Sequence, residues 1–258
     1  MKQLTEQQIQ DNWLKLRGIV NDTFEGERLE KLNRMYDHFE DRMVVAPASA
    51  KEHYHNACVG GYVEHVIHIV EMSQQVRDLW LQNGADINFT NEELIFAALH
   101  HDLGKVGDLE NDYYVINESE WHRKNQGKIY NHNPDLTYMT VTDRALFLLQ
   151  HFQIPMNENE YLGLRLTDGM YEDANEKYLK TFLPETGLRS HIARILHQAD
   201  MMATYIEGDE WDRAGQVGKQ KVAKSVSNIK QAVDTEVKTK LTGDSPKDLF
   251  DELFGDKK

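Results

Sequence analysis

Apolar residues recur along the chain with a helical period, and no alternation of apolar and polar positions runs for more than a few residues. Ile9, Trp13, Leu16 and Val20 fall on one stripe and Leu29, Leu32, Met35, Tyr36 and Phe39 on another, which predicts two amphipathic helices within residues 1–44. The turn-rich stretch Val45-Ala-Pro-Ala-Ser-Ala closes that unit. From Gly61 to Leu81, the positions Val63, Val66, Ile67, Val70, Val76, Leu79 and Trp80 predict a long helix stopped by Asn83-Gly84. Thr90, with Glu93 three residues on, carries the signature of a capping box and opens an apolar helix, Leu94 to His101, that ends near Gly104. Residues 107–138 are polar and irregular, with Tyr113-Tyr-Val-Ile a short extended piece, and predict a loop able to cover a substrate. Helical periodicity returns from Thr142 to Phe152, breaks at Pro155, resumes weakly from Glu158 to Leu166 and strongly from Leu188 to Ile206. The pattern predicts an all-α protein: a helical bundle over residues 45–210, the N-terminal helices packed on it, and a distinct segment over 211–258.

Composition narrows the setting. The longest apolar runs, such as Ile95 to Leu99, fall far short of the roughly 20 residues that cross a bilayer. The start, Met1-Lys-Gln-Leu-Thr-Glu-Gln-Gln, has neither the basic opening nor the apolar stretch of a secretory leader. Cys58 is the single cysteine, so no internal disulfide can form. These features predict a soluble cytoplasmic protein. Forty-three acidic against 29 basic residues give a formal charge of −14, which repels long nucleic acid. A small anionic substrate stays compatible, because a bound ion or a lysine can overrule the global field locally.

The chemistry concentrates in His65, in His101-Asp102 within Leu99-His-His-Asp-Leu-Gly-Lys105, and in Asp200 within Leu196-His-Gln-Ala-Asp. Each lies in an apolar helical stretch, where a buried imidazole or carboxylate must find a partner. The bland account is four core residues that satisfy one another. The sharper one is a metal ion: two imidazoles and two carboxylates suit Mn²⁺, Mg²⁺, Fe²⁺, Co²⁺ or Ni²⁺, and the lack of thiolates argues against structural zinc. His101 and Asp102 are adjacent, so both can face one ion only at a helix end.

The segments His55-Asn-Ala-Cys-Val-Gly-Gly-Tyr-Val-Glu-His65, His101-Asp-Leu-Gly-Lys105 and Ala199-Asp200-Met-Met-Ala-Thr, in that order, resemble the HD-domain superfamily of metal-dependent phosphohydrolases. The resemblance runs from about His53 to Ile206, and its first segment is similar to the HD domain of bacterial 3′-to-5′ exoribonucleases. It implies an HD-domain helical bundle with His65, His101, Asp102 and Asp200 as metal ligands. It implies that Asp102 and Lys105 carry the chemistry, with Lys105 facing the substrate phosphate. The activity implied is cleavage of a phosphate ester or anhydride of a nucleotide by metal-activated water. His132 and His151 have the order of the extra ligands that hold a second ion in HD-GYP cyclic-dinucleotide phosphodiesterases and HD oxygenases. Two departures stand out: Lys105 occupies the place where some HD nucleotidases carry a glutamate, and no Gly-Tyr-Pro follows His151. The alternatives are a phosphodiesterase on cyclic nucleotides or short single strands, a di-iron oxygenase, and a non-catalytic adaptor.

Further residues attach to this picture. His122, Arg123, Lys124 and Lys128 form a basic spot suited to phosphate, with Trp121 available to stack on a base, although a solvated loop accounts for them equally well. His100, His68 and His197 read as structural residues or as supports for the ligands: His68 and His197 lie one helical turn from His65 and Asp200, which would suit orienting them, but a core-facing or surface histidine is the simpler account of each. Arg165 and Asp168 fall between the ligand segments and either line the cleft or pair with each other at a helix end. Lysines 219, 221, 224, 230, 238 and 240 decorate a weakly apolar helix. The end of the chain presents Leu249, Phe250, Leu253 and Phe254, which resembles sliding-clamp-binding tails of tailed-phage proteins and would place the chain in a host cytoplasm. Docking of that tail on its own domain is the simpler occupant. The N-terminal helices offer a surface for self-association.

Overall fold

The computed structural model describes residues 3–52, 54–181, 183 and 185–215. The lysine-rich segment from 219 and the tail with Leu249, Phe250, Leu253 and Phe254 lie outside the described residues. The rest is mostly helical, as the periodicity predicts. In chain order come α1 (Glu6–Thr23), α2 (Gly26–Met43), α3 (Gly61–Gln82) and α4 (Asn91–His100), then a 3₁₀ turn at Leu103–Val106. A two-stranded antiparallel sheet follows, β1 (Tyr114–Ile116) and β2 (Tyr130–His132), with α5 (Glu120–Gln126) between its strands. Next come α6 (Val141–His151), α7 (Glu158–Arg165), the short α8 (Glu176–Leu179) and α9 (Ile192–Gly215). Among the described residues no helix is long and apolar enough to cross a membrane.

The middle of the bundle is α3. Val63, Val66, Ile67, Ile69 and Val70 are buried on several sides of it, because α9, α4 and α1 all pack against it. α4 is buried from Leu94 to His100, and its start is set by the expected capping box, in which the Thr90 hydroxyl accepts from the Glu93 amide and the Glu93 carboxylate accepts from the Thr90 amide. Trp13, Leu16 and Val20 of α1 and Leu32, Met35, Tyr36 and Phe39 of α2 belong to the same continuous apolar cluster as α3 and α4. Trp13 also donates its indole N–H to Glu40 at 3.0 Å, which ties α1 to α2.

Close approach of backbone requires glycine at positions 61 and 104, among others. A Cβ on Gly61, at the start of α3, would sit 2.1 Å from the Asn56 carbonyl oxygen. A Cβ on Gly104 would sit 2.0 Å from the Val141 carbonyl oxygen, so the turn after α4 can seat against the start of α6 only with hydrogen there. These contacts hold the chain just before His65 and just after Asp102 against neighbouring backbone.

Two features differ from the sequence expectation. Residues 107–138 are more ordered than a covering loop, with Tyr114 opposite His132, Val115 opposite Asn131 and Ile116 opposite Tyr130. Three-residue strands are too short for alternation to show. Helix α9 starts at Ile192, four residues past the predicted Leu188, and runs on to Gly215.

Candidate metal centre

His65 lies in the second turn of α3 with its side chain 1% exposed. Its Nδ1 is 2.9 Å from Glu207 Oε2, and its Nε2 faces Asp200 Oδ1 at 3.5 Å and Asp102 Oδ2 at 3.6 Å. His101 caps the C-terminus of α4, where its Nδ1 is 2.7 Å from the Ala98 carbonyl oxygen and its Nε2 is 3.5 Å from Asp102 Oδ2. Asp102 leaves the helical conformation, with φ −106° and ψ 11°, and this break lets adjacent residues converge. Lys105 follows within the 3₁₀ turn and donates from Nζ to Asp102 Oδ2 at 2.6 Å. Asp200 comes from α9 and accepts a 3.4 Å hydrogen bond from the Thr204 hydroxyl. Three segments distant in sequence thus contribute His65, His101 with Asp102, and Asp200.

The hydrogen bonds decide which ring nitrogen of each histidine is available. A carbonyl or carboxylate oxygen only accepts, so His101 must donate Nδ1–H to Ala98 and His65 must donate Nδ1–H to Glu207. In the neutral rings both Nε2 atoms then carry lone pairs. Both are buried and have no hydrogen-bond partner among the described residues. Their distances to the carboxylate oxygens, 3.5 and 3.6 Å, exceed a normal N–H···O contact. Two atoms each about 2.1 Å from one tetrahedral or octahedral ion stand about 3.0–3.5 Å apart, so the gap has the size of a cation. Buried lone pairs facing carboxylates across such a gap can hold a divalent ion, and His65, His101 and Asp102 satisfy that geometry together.

Charge is concentrated here. Burial works against a protonated His65, but the carboxylates of Glu207 and Asp200 outweigh it and raise its pKa to about 10. Burial opposes the Asp102 anion, yet Lys105 and then His101 hold its carboxyl well below the usual range. Asp200 is likewise lowered, against burial, by His65 and His101. Without an ion, a proton on His65 Nε2 balances the carboxylates; a bound cation replaces that proton.

Glu207 is the residue that sequence reasoning missed. It is 1% exposed and uses both oxygens, one for His65 and the other for His68 Nδ1 at 2.7 Å. Opposing burial, His65 and His68 drive its pKa far down. Asp200 and Glu207 stand two helical turns apart on one face of α9, and a second acid at that spacing beyond a suspected ligand is the signal that could have found it. His68 therefore orients the site through Glu207. His55 is the other addition: its ring stacks on His65 at 4.5 Å between centroids, and its buried Nε2 has no partner among the described residues. Burial, His65 and Lys105 push its pKa down to about 3, so the ring is neutral.

The remaining predicted residues divide. Lys128 lines an open cleft of about 840 Å³ together with Lys105, His55 and His132. His122, Arg123 and Lys124 sit on α5: the His122 ring pairs with Ser119, Lys124 with Glu120 at 3.3 Å, and the neighbouring Trp121 is 60% exposed. None of these three lines the cleft. His132 stacks on Tyr113 and Tyr114, and His151 lies exposed against Phe147 and Phe152, so the structure does not bring these two histidines together as a second ligand pair. His197 binds the Thr167 carbonyl through Nδ1. Arg165 reaches Asn175, while Asp168 accepts from Thr142 at 3.1 Å, and the two do not pair. Burial, Asp102 and Asp200 raise the Asp168 carboxyl, which places a further acid beside the cluster. His100 is structural: Nδ1 donates to Phe96 at 2.7 Å, Nε2 accepts from the Tyr36 hydroxyl at 3.2 Å, and burial lowers its pKa to about 3.

Fold and site together define a mostly helical protein whose buried histidine and carboxylate cluster can hold a metal ion. Compared with known proteins, the chain matches no family model, no curated protein and no solved structure.

Proposed function

We propose that the protein is a divalent-metal-dependent phosphohydrolase of the HD type that cleaves a phosphate ester or anhydride of a nucleotide. The observation that carries this reading is the pair of Nδ1-anchored imidazoles, His65 and His101, whose free Nε2 atoms face Asp102 and Asp200 across a cation-sized gap. A divalent ion held by these four residues supplies acidification of a water and neutralisation of charge on phosphoryl oxygens. Mn²⁺ or Mg²⁺ suits the set best among hard ions, and Fe²⁺, Co²⁺ and Ni²⁺ accept the same donors.

The chain's own groups favour phosphate as the substrate. Lys105 spends one of its three N–H bonds on Asp102, which fixes the ammonium beside the centre and leaves two for phosphoryl oxygens. Glu207 and the Ala98 carbonyl orient the two imidazoles, so they need no rearrangement when substrate arrives. The cleft that continues from Lys105 contains Lys51, Lys128, His55 and His132 and, among the described residues, no acidic side chain, in a protein whose formal charge is −14. A di-iron oxygenase would need a second ion, and His132 and His151 do not come together to hold one.

The test is product analysis by chromatography and mass after incubating the full chain, with Mn²⁺ or Mg²⁺, against nucleoside mono-, di- and triphosphates, cyclic nucleotides and a short oligonucleotide. Asp102→Ala is run beside it. A phosphate-containing product that appears with the natural chain and is lost in Asp102→Ala is expected. Turnover that persists in Asp102→Ala, or no turnover with either ion, overturns the proposal.

A further inference from the structure

The segment after α2 pairs with the segment before β2. The Ala50 carbonyl accepts from the Ile129 and Tyr130 amides at 3.0 and 3.1 Å, and the Glu52 amide donates to the Gly127 carbonyl at 2.7 Å. This pairing sets Lys51 directly opposite Lys128 in an antiparallel bridge. Side chains at directly opposed positions project from the same face with Cβ atoms about 5 Å apart, and like charges so placed are destabilising. No carboxylate ion-pairs with either lysine among the described residues, and both line the cleft that begins at Lys105. Lys51 carries its ammonium 5.2 Å from the centre of the Tyr54 ring, a contact that adds no negative charge. His132 lines the same wall, and burial together with the Lys128 charge lowers its pKa, so it adds a neutral hydrogen-bonding group. The fold thus maintains two opposed cations beside a cleft that no acidic side chain lines among the described residues, in a strongly acidic protein. A bound polyanion would repay that cost.

Resting on the phosphohydrolase reading, we infer that the substrate is a small molecule carrying two adjacent phosphate groups, such as a nucleoside di- or triphosphate. One phosphate lies at Lys105 beside the metal centre, and the other lies between Lys51 and Lys128. A cleft of about 840 Å³ has the size of a nucleotide site. The chain's overall negative charge disfavours a long nucleic acid in the same place. Neither Lys51 nor Tyr54 stands out in the sequence, because the pairing that brings Lys51 to Lys128 is long-range.

The experiment is calorimetric titration of the full chain, without added metal, with inorganic phosphate and pyrophosphate, and with a 5′-phosphorylated trinucleotide as a third probe. The chain is compared with the double variant Lys51→Gln/Lys128→Gln and with the control Lys15→Gln/Lys180→Gln, which removes the same charge from exposed lysines paired elsewhere. Folding of each is checked by thermal melting. Pyrophosphate is expected to bind about tenfold or more tightly than phosphate, a preference that the cleft variant loses and the control keeps. Equal affinity for the two inorganic probes, an unchanged pyrophosphate affinity in the cleft variant, or an equal loss in the control would overturn the inference. So would a trinucleotide that binds more tightly than pyrophosphate through the same lysines. Mn²⁺ loading of the natural chain, measured separately, tests the metal centre alone, so failure of that reading is distinguishable from failure of this one.

Discussion

Replacing Glu207 with glutamine keeps the size of the side chain and removes its charge, and the structure sets the expected effect. Glu207 accepts from His65 at 2.9 Å and from His68 at 2.7 Å, one oxygen to each ring. Glutamine offers one oxygen and an NH₂ group, so one imidazole N–H must face another donor. Water partly restores the loss at His68, whose side chain is 36% exposed, but cannot reach His65 at 1%. Losing a buried charge-assisted hydrogen bond costs about 1.5–3 kcal/mol. For the carboxylate that orients a metal-binding histidine, the usual loss of affinity is about 10- to 100-fold. The assay is equilibrium dialysis of Glu207→Gln against Mn²⁺ at neutral pH, with thermal melting of the metal-free protein beside it. A Glu207→Gln variant that binds Mn²⁺ as tightly as the natural chain refutes the reasoning. The pH dependence gives a second check. Glu207 is held below its ordinary pKa of 4.5, so its contribution to stability is complete above that value and disappears as pH falls towards the depressed folded value. The stability deficit of Glu207→Gln is therefore greatest at neutral pH and narrows in acid below 4.5.

Other consequences are equally concrete. Because His65 is held up to about 10 without an ion, Mn²⁺ must displace a proton there, and its apparent affinity rises by about tenfold per pH unit from pH 6 to 8; a flat profile in dialysis contradicts this. Lys105→Gln removes a cation from beside Asp102 while sparing the four donors, so Mn²⁺ is retained while kcat/KM falls by about 100- to 1,000-fold, read by steady-state kinetics. Tyr36→Phe leaves the buried His100 Nε2 without its donor and lowers stability by about 1–3 kcal/mol in denaturant unfolding, with Mn²⁺ affinity unchanged. Gly104→Ala places a Cβ 2.0 Å from the Val141 carbonyl oxygen; the cost is at least about 1–3 kcal/mol, seen as a melting temperature several degrees lower.

The two N-terminal helices were legible because each buries a stripe that the periodicity marks. Trp13, Leu16 and Val20 are buried in α1, and Thr90 caps α4 as its spacing with Glu93 predicts. His65, His101, Asp102 and Asp200 could be singled out in the sequence because each is polar inside an apolar run; the structure groups His65, His101 and Asp102, with Asp200 3.5 Å from His65. Glu207 was not, since its role depends on His65 and His68 of a different helix meeting one carboxylate. The β1–β2 pair and the Lys51–Lys128 bridge were hidden for a related reason: they are short, and their partners are remote in sequence. The basic spot at residues 122–128 was read as one feature, but only Lys128 reaches the cleft, because α5 ends and the chain turns at Gly127.

The most direct measurement is the metal content of the full chain after dialysis with Mn²⁺ and removal of free ion, set beside His65→Ala, Asp102→Ala and Asp200→Ala. The account predicts an ion retained by the natural chain in a fixed ratio and lost from each variant while its helical circular dichroism persists. An ion retained equally by all three variants, or none retained by the natural chain, would contradict it.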